Sequence, residues 1–193
     1  MHRRAEQVDK TRQRIVEATV ELHGSAGPAA TTIAAIADLA GVTRLTVYRH
    51  FPDEAALFDA CSTHWLSRQQ LPDPGTWSQI GDPAARLRAG LADLYRFYRA
   101  GAGMLTHIYR DFAALPGAYQ QRLRDQDTYL RDLLAAPFGG DGDQQRHRRA
   151  VIGHATSFWT WRSLCLDQGL TDTEAVGAMT SMVLAVPQAE PAQ

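Results

Sequence analysis

The sequence has few of the features that mark a secreted, membrane-spanning or metal-binding protein. Its 193 residues include only two cysteines, Cys61 and Cys165, which are far apart and form no CxxC pattern. We therefore expect both to be reduced and packed, with no disulfide framework and no metal site. No apolar run reaches the roughly 20 residues that a membrane helix needs, and "MHRRAEQVDK" at the N-terminus lacks the apolar region of a secretory signal. These absences predict a cytoplasmic protein.

The chain also lacks a strong charge of either sign. Its formal net charge is -1, and hydrophobic residues make up 45% and charged residues 21% of the composition, as in ordinary globular proteins. Up to Pro52 there are seven Lys or Arg against five Asp or Glu, so the N-terminal part is slightly basic. The length suits one ordinary domain, or a small domain attached to a larger one.

Strand signals are nearly absent, and glycine and proline separate segments whose apolar residues recur every three or four positions. This pattern predicts an all-α protein. The helices are expected at about 10–24, 32–40, 43–50, 54–71, 84–100, 103–115, 117–136, 144–168 and 172–186. Residues 72–83 are expected to be a linker, 137–143 a mobile loop and 187–193 a disordered tail.

The strongest local pattern lies in residues 33–51. Ala37 is small where a second helix would cross the first, and Gly41, four residues on, can adopt the left-handed conformation of a turn. The apolar residues spaced to fill the gap between the two helices are Ile36, Val42 and Val47. The pattern predicts a helix-turn-helix.

The other side chains of the second helix are unusual for a solvated surface. In a DNA major groove, Arg44 can contact guanine, while Leu45 and the methyl group of Thr46 can pack on thymine methyls. Tyr48 and His50 can donate hydrogen bonds to phosphate oxygens. The residue types therefore favour a DNA-reading helix.

A helical hairpin inside a larger bundle is the alternative, with Tyr48 and Phe51 as core residues. Small residues where helices cross are common in such hairpins. Spacing alone leaves both interpretations open.

The segment "TTIAAIADLAGVTRLTVYRHFPDEAALF", preceded by "TRQRIVEATVELHGSAGPAA", resembles the N-terminal DNA-binding module of TetR-type transcriptional regulators. The resemblance covers roughly residues 10–58, less than a third of the chain. It implies DNA binding, a homodimer and an effector-binding C-terminal domain, with domains at 1–55 and 56–193. The positions that it implies for DNA contact are Thr32, Thr43, Arg44, Leu45, Thr46, Tyr48, Arg49 and His50.

Three residues depart from the family pattern. His23 stands where an aromatic packing residue is usual, Leu45 where a small residue or proline is usual, and Glu54 where a lysine commonly reaches a phosphate. Glu54 would suit the start of a helix capped by Asp53, because negative charge there complements the helix dipole.

The larger C-terminal part carries polar-tipped side chains among apolar ones, which is typical of a small-molecule pocket. The candidates for an effector pocket are Leu91, Tyr95, Tyr98, Met104, His107, Ile108, Phe112, Phe158 and Arg162. A packed helical core without a pocket is the alternative for the same residues.

The last two predicted helices are apolar on several sides, which predicts a two-fold four-helix dimer interface. The candidate interface residues are Trp159, Trp161, Met179, Met182 and Val183. A monomer with buried tryptophans is the alternative.

Together these features predict a dimeric transcriptional repressor that binds a near-palindromic operator and is released by a small, largely apolar effector. No cofactor and no metal ion are predicted. A ligand-independent DNA-binding dimer remains an alternative. So does a helical enzyme, although no nucleophile, metal or cofactor motif has supporting spacing.

Overall fold

The protein consists of helices joined by short turns. The computed structural model describes residues 2–139 and 142–186, within which there are eleven α-helices and no β-strand. The helices are α1 (His2–Ser25), α2 (Ile33–Ala40), α3 (Arg44–His50), α4 (Glu54–Leu66), α5 (Pro74–Ser78), α6 (Pro83–Ala100), α7 (Ala102–Arg110), α8 (Gly117–Ala135), α9 (Gly142–Ala155), α10 (Phe158–Arg162) and α11 (Asp172–Leu184). The predicted all-α class is confirmed. The predicted tail at 187–193, and part of the predicted loop at 137–143, lie outside the described residues.

The chain divides into two compact units. The first unit comprises Met1–Gln70 and Gly101–Gln121, and the second comprises Leu71–Ala100 and Arg122–Gln193. This is a division by packing, so the predicted functional boundary between residues 55 and 56 stays a prediction.

The core of the first unit lies where α1 crosses α2 and α4. Its buried members are Ile15, Val16, Ala18, Ile36, Ala37, Ala40, Val47, Phe51, Leu57 and Cys61. Burying such side chains contributes about 1.5–3 kcal/mol for each large aliphatic or aromatic one. The core therefore fixes α2 and α3, which are too short to be stable alone.

The loop between α1 and α2 is held from the end of α7. The Arg110 guanidinium donates to the backbone oxygen of Ala26 (2.8 Å), and the backbone N–H of Ala29 donates to Asp111 (3.1 Å). Arg110 also donates to Asp111 itself and holds the pKa of that carboxyl below its usual value. Helix α7 thus supports the loop that leads into α2.

In the second unit, α6 is covered by α5, α10 and α11. Part of the expected linker at 72–83 is in fact helix α5, with Asp73 as its cap and Pro74 at its first position. The indole N–H of Trp77 on α5 donates to Asp93 on α6 (3.1 Å), and Trp77 is buried. The linker prediction was wrong there because it gave more weight to the prolines than to their place at a helix start.

The helix expected at 144–168 is broken after Ala155. Ser157 caps α10 by accepting the N–H of Trp159 (3.2 Å), and the segment Ser163–Asp167 then continues as a π-helix. A break leaves backbone carbonyls without helical partners, and an unpaired buried carbonyl is costly. The hydroxyls of two α6 tyrosines supply the missing donors, as described below.

Helix α11 begins with the predicted capping box, in which Thr171 and Glu174 bond to each other's backbone N–H groups. Near it, the Arg99 guanidinium makes two hydrogen bonds of 2.7 Å to Asp172, and Trp161 Nε1 donates to the same carboxylate (3.0 Å). Burial alone would raise the pKa of Asp172, yet these donors hold it below its usual value. The cluster ties α6 and α10 to the start of α11.

None of the helices described is long and apolar enough to cross a membrane. Over the same residues, no group of three or more His, Cys, Asp or Glu side chains comes together as metal ligands would.

Candidate nucleic-acid interface

The turn between α2 and α3 has the geometry of a helix-turn-helix. Thr32 caps α2 by accepting the N–H of Ala35 (3.2 Å). Gly41 has φ 62° and ψ 43°, and the N–H of Val42 donates to Ala37 O (2.9 Å), which forms a Schellman motif. A side chain at Gly41 would be strained, which explains the glycine that the sequence pattern required.

Helix α3 starts at a similar cap. Thr43 Oγ1 accepts the N–H of Thr46 (3.2 Å), and the two threonine hydroxyls lie 2.9 Å apart. One of the two hydroxyl hydrogens is used in that contact, so the other remains able to donate to a phosphate oxygen. Both predicted threonines thus lie at the N-terminal end of α3, which is the end that enters a groove in helix-turn-helix proteins.

Only Val47 of α3 is buried, at 1% exposure, and Phe51 just beyond the helix is buried as well. The other side chains of α3 lie around buried Val47. Arg44, Leu45, Tyr48 and Arg49 are exposed, while Thr46 and His50 are partly buried. We call the six side chains Arg44, Leu45, Thr46, Tyr48, Arg49 and His50 the reading face.

The reading face exposes apolar and cationic groups together. Leu45 is 70% exposed and Tyr48 51% exposed, and Leu45 is the most exposed large hydrophobic residue described. Arg44 and Arg49 have no ion-pair partner in the described part of the chain. A surface of this kind is suited to base edges, thymine methyls and phosphates.

Two arginines of α1 were not assigned from the sequence. The guanidinium of Arg12 lies over the ring of Phe51, 4.8 Å from its centroid. Arg14 Nη1 lies 3.8 Å from the point that a Cβ on Gly41 would occupy. Both are exposed and add positive charge beside the turn. The only available signal was the basic run "TRQR" next to the apolar stripe of α1.

Helix α4 follows the reading face and starts with two acids. Asp53 caps it by accepting the N–H of Ala56 (2.7 Å), and exposed Glu54 is its first residue. The structural role expected for both acids is therefore present.

The residues predicted for an effector pocket belong to both units. Met104, His107, Ile108 and Phe112 lie in the first unit, where His107 Nδ1 donates to the backbone oxygen of His23 (3.1 Å). Ile108 is buried, and the other three are partly buried. His107 thus joins α7 to α1 through this hydrogen bond. Its assignment to an effector pocket stays a prediction.

The other five predicted pocket residues lie in the second unit. Leu91, Tyr95, Tyr98 and Phe158 are buried there. The Tyr95 hydroxyl donates to Ala155 O (2.8 Å) and the Tyr98 hydroxyl to Thr156 O (2.7 Å), the carbonyls freed by the helix break. The hydroxyl groups of Tyr95 and Tyr98, which were expected to face a ligand, therefore stabilise the break between α9 and α10.

The fifth of them, Arg162, is partly buried and paired with Asp167 at 3.0 and 3.1 Å across the π-helix. Its guanidinium also lies 5.9 Å from the centroid of the Trp159 ring. A cleft lined by Thr19, His23 and Glu54 among others, and a second one lined by Arg131 and Arg149 among others, include none of the nine predicted pocket residues.

The five predicted dimer residues differ in exposure. Trp161 and Val183 are fully buried and Met179 is nearly so, which places them in the core of their own chain. Trp159 is 43% exposed and Met182 47% exposed. Two neighbours missed by the sequence reasoning, Leu166 and Leu184, are exposed to a similar extent. The candidate residues for contact with a partner are thus Trp159, Leu166, Met182 and Leu184.

His23, which departs from the family pattern, is buried beside Phe58 with ring centroids 5.3 Å apart. Burial lowers the pKa of His23 from 6.5 to about 4, an effect that the nearby carboxylate of Asp111 opposes. The ring is therefore neutral in the folded protein at pH 7.

This burial predicts a pH-dependent stability. In the unfolded chain His23 is protonated below about pH 6.5, whereas in the folded chain it stays neutral down to about pH 4. The free energy of unfolding is therefore highest above about pH 6.5 and decreases as the pH falls towards 4. Between pH 7.5 and pH 5 we expect His23 to cost about 2 kcal/mol of unfolding free energy. Urea unfolding of the wild type and of His23→Phe at both pH values measures it. An equal pH dependence in both proteins would contradict the burial argument.

Comparison with known proteins agrees with this geometry. The family model described as "Bacterial regulatory proteins, tetR family" matches residues 15–61. The HTH-type transcriptional regulator TtgR of Pseudomonas putida is 43% identical over 60 residues, 31% of this chain and 29% of that protein. The probable acrEF/envCD operon repressor of Escherichia coli is 37% identical over 140 residues, 66% of this chain and 62% of that protein. The matches thus span less than two thirds of either relative.

A solved structure of AibR in complex with isovaleryl coenzyme A and operator DNA has the same fold. Its TM-score is 0.64 at 18% identity, and the alignment covers 89% of this chain and 97% of that chain. The fold and the reading face define a helix-turn-helix protein with a second, helical part. Residues 15–61 thus match the TetR family of bacterial regulatory proteins, as the sequence resemblance predicted. The matched relatives are named as transcriptional regulators or repressors, in agreement with the class of protein that the sequence predicted.

Proposed function

We propose that this chain is a cytoplasmic repressor that binds a near-palindromic operator as a homodimer and is released by a small, largely apolar effector. The observation that carries the proposal is the exposed reading face on a hairpin fixed by a buried core. An isolated leucine at 70% exposure, flanked by unpaired arginines, has no folding role to explain it. Contact with thymine methyls and phosphates does explain it.

The dimer is supported by four large apolar side chains that are exposed on α10, the π-helix after it and α11, namely Trp159, Leu166, Met182 and Leu184. Each of these side chains is between 43% and 47% exposed, and tryptophan is enriched at the centres of protein interfaces. Two copies related by a two-fold axis would present two α3 helices to successive turns of one DNA face. A near-palindromic operator follows from that symmetry.

Release by an effector is supported by analogy with the relatives. AibR binds isovaleryl coenzyme A and operator DNA, and the Escherichia coli relative is named a repressor. For a useful switch, the effector must prefer the DNA-incompetent state by about 1–3 kcal/mol, which changes operator affinity about 5-fold to 150-fold.

The test is an anisotropy titration of a DNA that the protein selects, with the wild type and with Arg44→Ala. A guanine contact is worth about 1–3 kcal/mol, so Arg44→Ala should lose affinity for the selected site and discriminate less at one position of each half-site. Arg88→Ala, an exposed arginine of α6, is the matched control and should bind normally. Equal affinity of Arg44→Ala and the wild type on every DNA would refute a reading role for α3.

Glu54→Lys tests how close the start of α4 lies to the DNA backbone. Exchange of an acid for a base beside a phosphate should tighten binding on all sequences and steepen the salt dependence by about one phosphate contact. The measurement is log K against log salt, with Glu21→Lys on α1 as the control for net charge. An unchanged slope for Glu54→Lys would show that Glu54 lies away from the backbone.

A further inference from the structure

The first unit contains a cleft that no part of the proposed function uses. Its volume is about 220 Å³, and it lies among α1, the loop after α1, the starts of α2 and α4, and the turn after α7. The lining residues with side chains able to hydrogen bond are Thr19, His23, Thr31 and Glu54. Every lining residue belongs to this unit, and none is among the predicted effector contacts.

The protonation of His23 follows from its neighbours. The Cys61 thiol donates its single hydrogen to Phe58 O (3.1 Å), and burial keeps that thiol protonated by raising its pKa to about 12. His23 Nδ1 lies 3.6 Å from Cys61 Sγ, and with the thiol hydrogen directed at Phe58 O the ring can donate from Nδ1 to sulfur. The other nitrogen, Nε2, is then an acceptor. No described residue bonds to Nε2, and the ring lines the cleft.

The remaining polar side chains of the cleft are acceptors as well. The hydroxyl of Thr19 donates to Ile15 O (2.8 Å) and that of Thr31 to Gly27 O (2.9 Å), so their hydrogens are already used. Glu54 adds an unpaired carboxylate at the exposed edge. A ligand that bonds to these side chains must therefore bring hydrogen-bond donors, and a positive charge best matches the carboxylate.

The rest of the lining is apolar. Phe58 presents an aromatic ring, and Ile36, Leu57 and Leu115 are buried side chains. Sites for drug-sized ligands measure about 300–1,000 Å³, so this cleft suits a smaller molecule. A flat ring with a cationic donor group has the required size and polarity.

We propose that this cleft binds a small organic cation, with Glu54 and His23 Nε2 accepting from its charged group and Phe58 and Leu115 packing on its apolar part. The site is separate from the proposed effector residues and does not depend on the proposed function. Binding requires only the fold of the first unit.

Three probes of one shape and different charge test the proposal: benzamidinium, benzamide and benzoate. Each is titrated into the isotopically labelled full chain at pH 7 and constant ionic strength, and the amide resonances of Ala55, Leu57 and Leu115 are followed. We expect benzamidinium to bind with a Kd of about 1 mM, in keeping with its few atoms. Benzamide and benzoate should bind at least about tenfold more weakly, since they lack the charge-assisted bond.

Substitutions of the lining residues test which of them contacts the charged group of benzamidinium. Glu54→Gln should weaken benzamidinium about tenfold and leave benzamide unchanged, and His23→Phe should weaken it by a smaller factor. Glu21→Gln removes an exposed α1 acid outside the cleft and should have no effect. Urea unfolding of each variant shows whether it folds.

Two results would overturn the proposal. One is the absence of any saturable shift with benzamidinium in the folded wild type. The other is a preference for benzoate or benzamide, which would assign the cleft to the free backbone N–H groups at the start of α4 or to apolar contact alone.

Discussion

Replacing Leu45 with alanine should weaken operator binding between about 30-fold and about 1,000-fold without loss of folding stability. The leucine is 70% exposed in the free protein, so its removal leaves no cavity. If the Leu45 side chain packs on a thymine methyl, the substitution removes about 1–2 kcal/mol of binding free energy from each α3 helix, because that apolar burial is lost. A two-fold dimer loses this amount twice. The loss should be confined to operators that carry that thymine, and discrimination at this position should relax.

The measurement compares wild type and Leu45→Ala on the selected operator and on copies with that one base pair exchanged. Leu45→Met keeps the apolar volume and should retain most of the affinity. Equal weakening of Leu45→Ala on every sequence would mean that the leucine has a structural role only.

Replacing Trp161 with alanine should cost about 3–5 kcal/mol of unfolding free energy, as for other buried aromatic truncations. Trp161 is fully buried, and its indole N–H donates to Asp172, which would lose that donor. The cost should be read from urea unfolding at a protein concentration low enough to exclude any association.

Trp159→Ala is the matched variant, two residues away and 43% exposed. It should unfold like the wild type at low concentration but dissociate as a dimer at least about 30-fold more readily, as expected for an interface tryptophan. Sedimentation measures the dissociation. Wild-type dimer stability in Trp159→Ala would contradict the proposed interface, and a mild effect of Trp161→Ala on unfolding would contradict the buried placement.

The parts of the fold that depend on short-range chemistry were predictable. Thr32, Thr43, Asp53 and the box of Thr171 with Glu174 cap the helices that the sequence indicated. These signals work because a cap satisfies backbone N–H groups within three residues of itself. The helix-turn-helix could be predicted for the same reason.

Features that depend on distant partners could not be predicted. The break after Ala155 is stabilised by the hydroxyls of Tyr95 and Tyr98, about sixty residues earlier in the chain. The sequence close to the break contains no signal for these partners. The break also changes which side chains of the segment are buried. For this reason helical periodicity did not show that Trp159 is exposed and Trp161 is buried.

The candidate cleft shows a second limit. His23 and Glu54 were recognised as departures from the family pattern, but their places in one cleft depend on how α1, α4 and the turn after α7 pack. The sequence showed that His23 and Glu54 were each unusual. Only the packed structure showed that they line the same cleft.

The most direct measurement is selection of bound sequences from random DNA with the wild-type chain at low salt. We expect enrichment of a near-palindrome with half-sites spaced about one helical turn apart or a multiple of that. Arg44→Ala and Leu45→Ala should each change the preferred base at one position of each half-site. Failure of the wild type to enrich any sequence would contradict a DNA-reading role for α3.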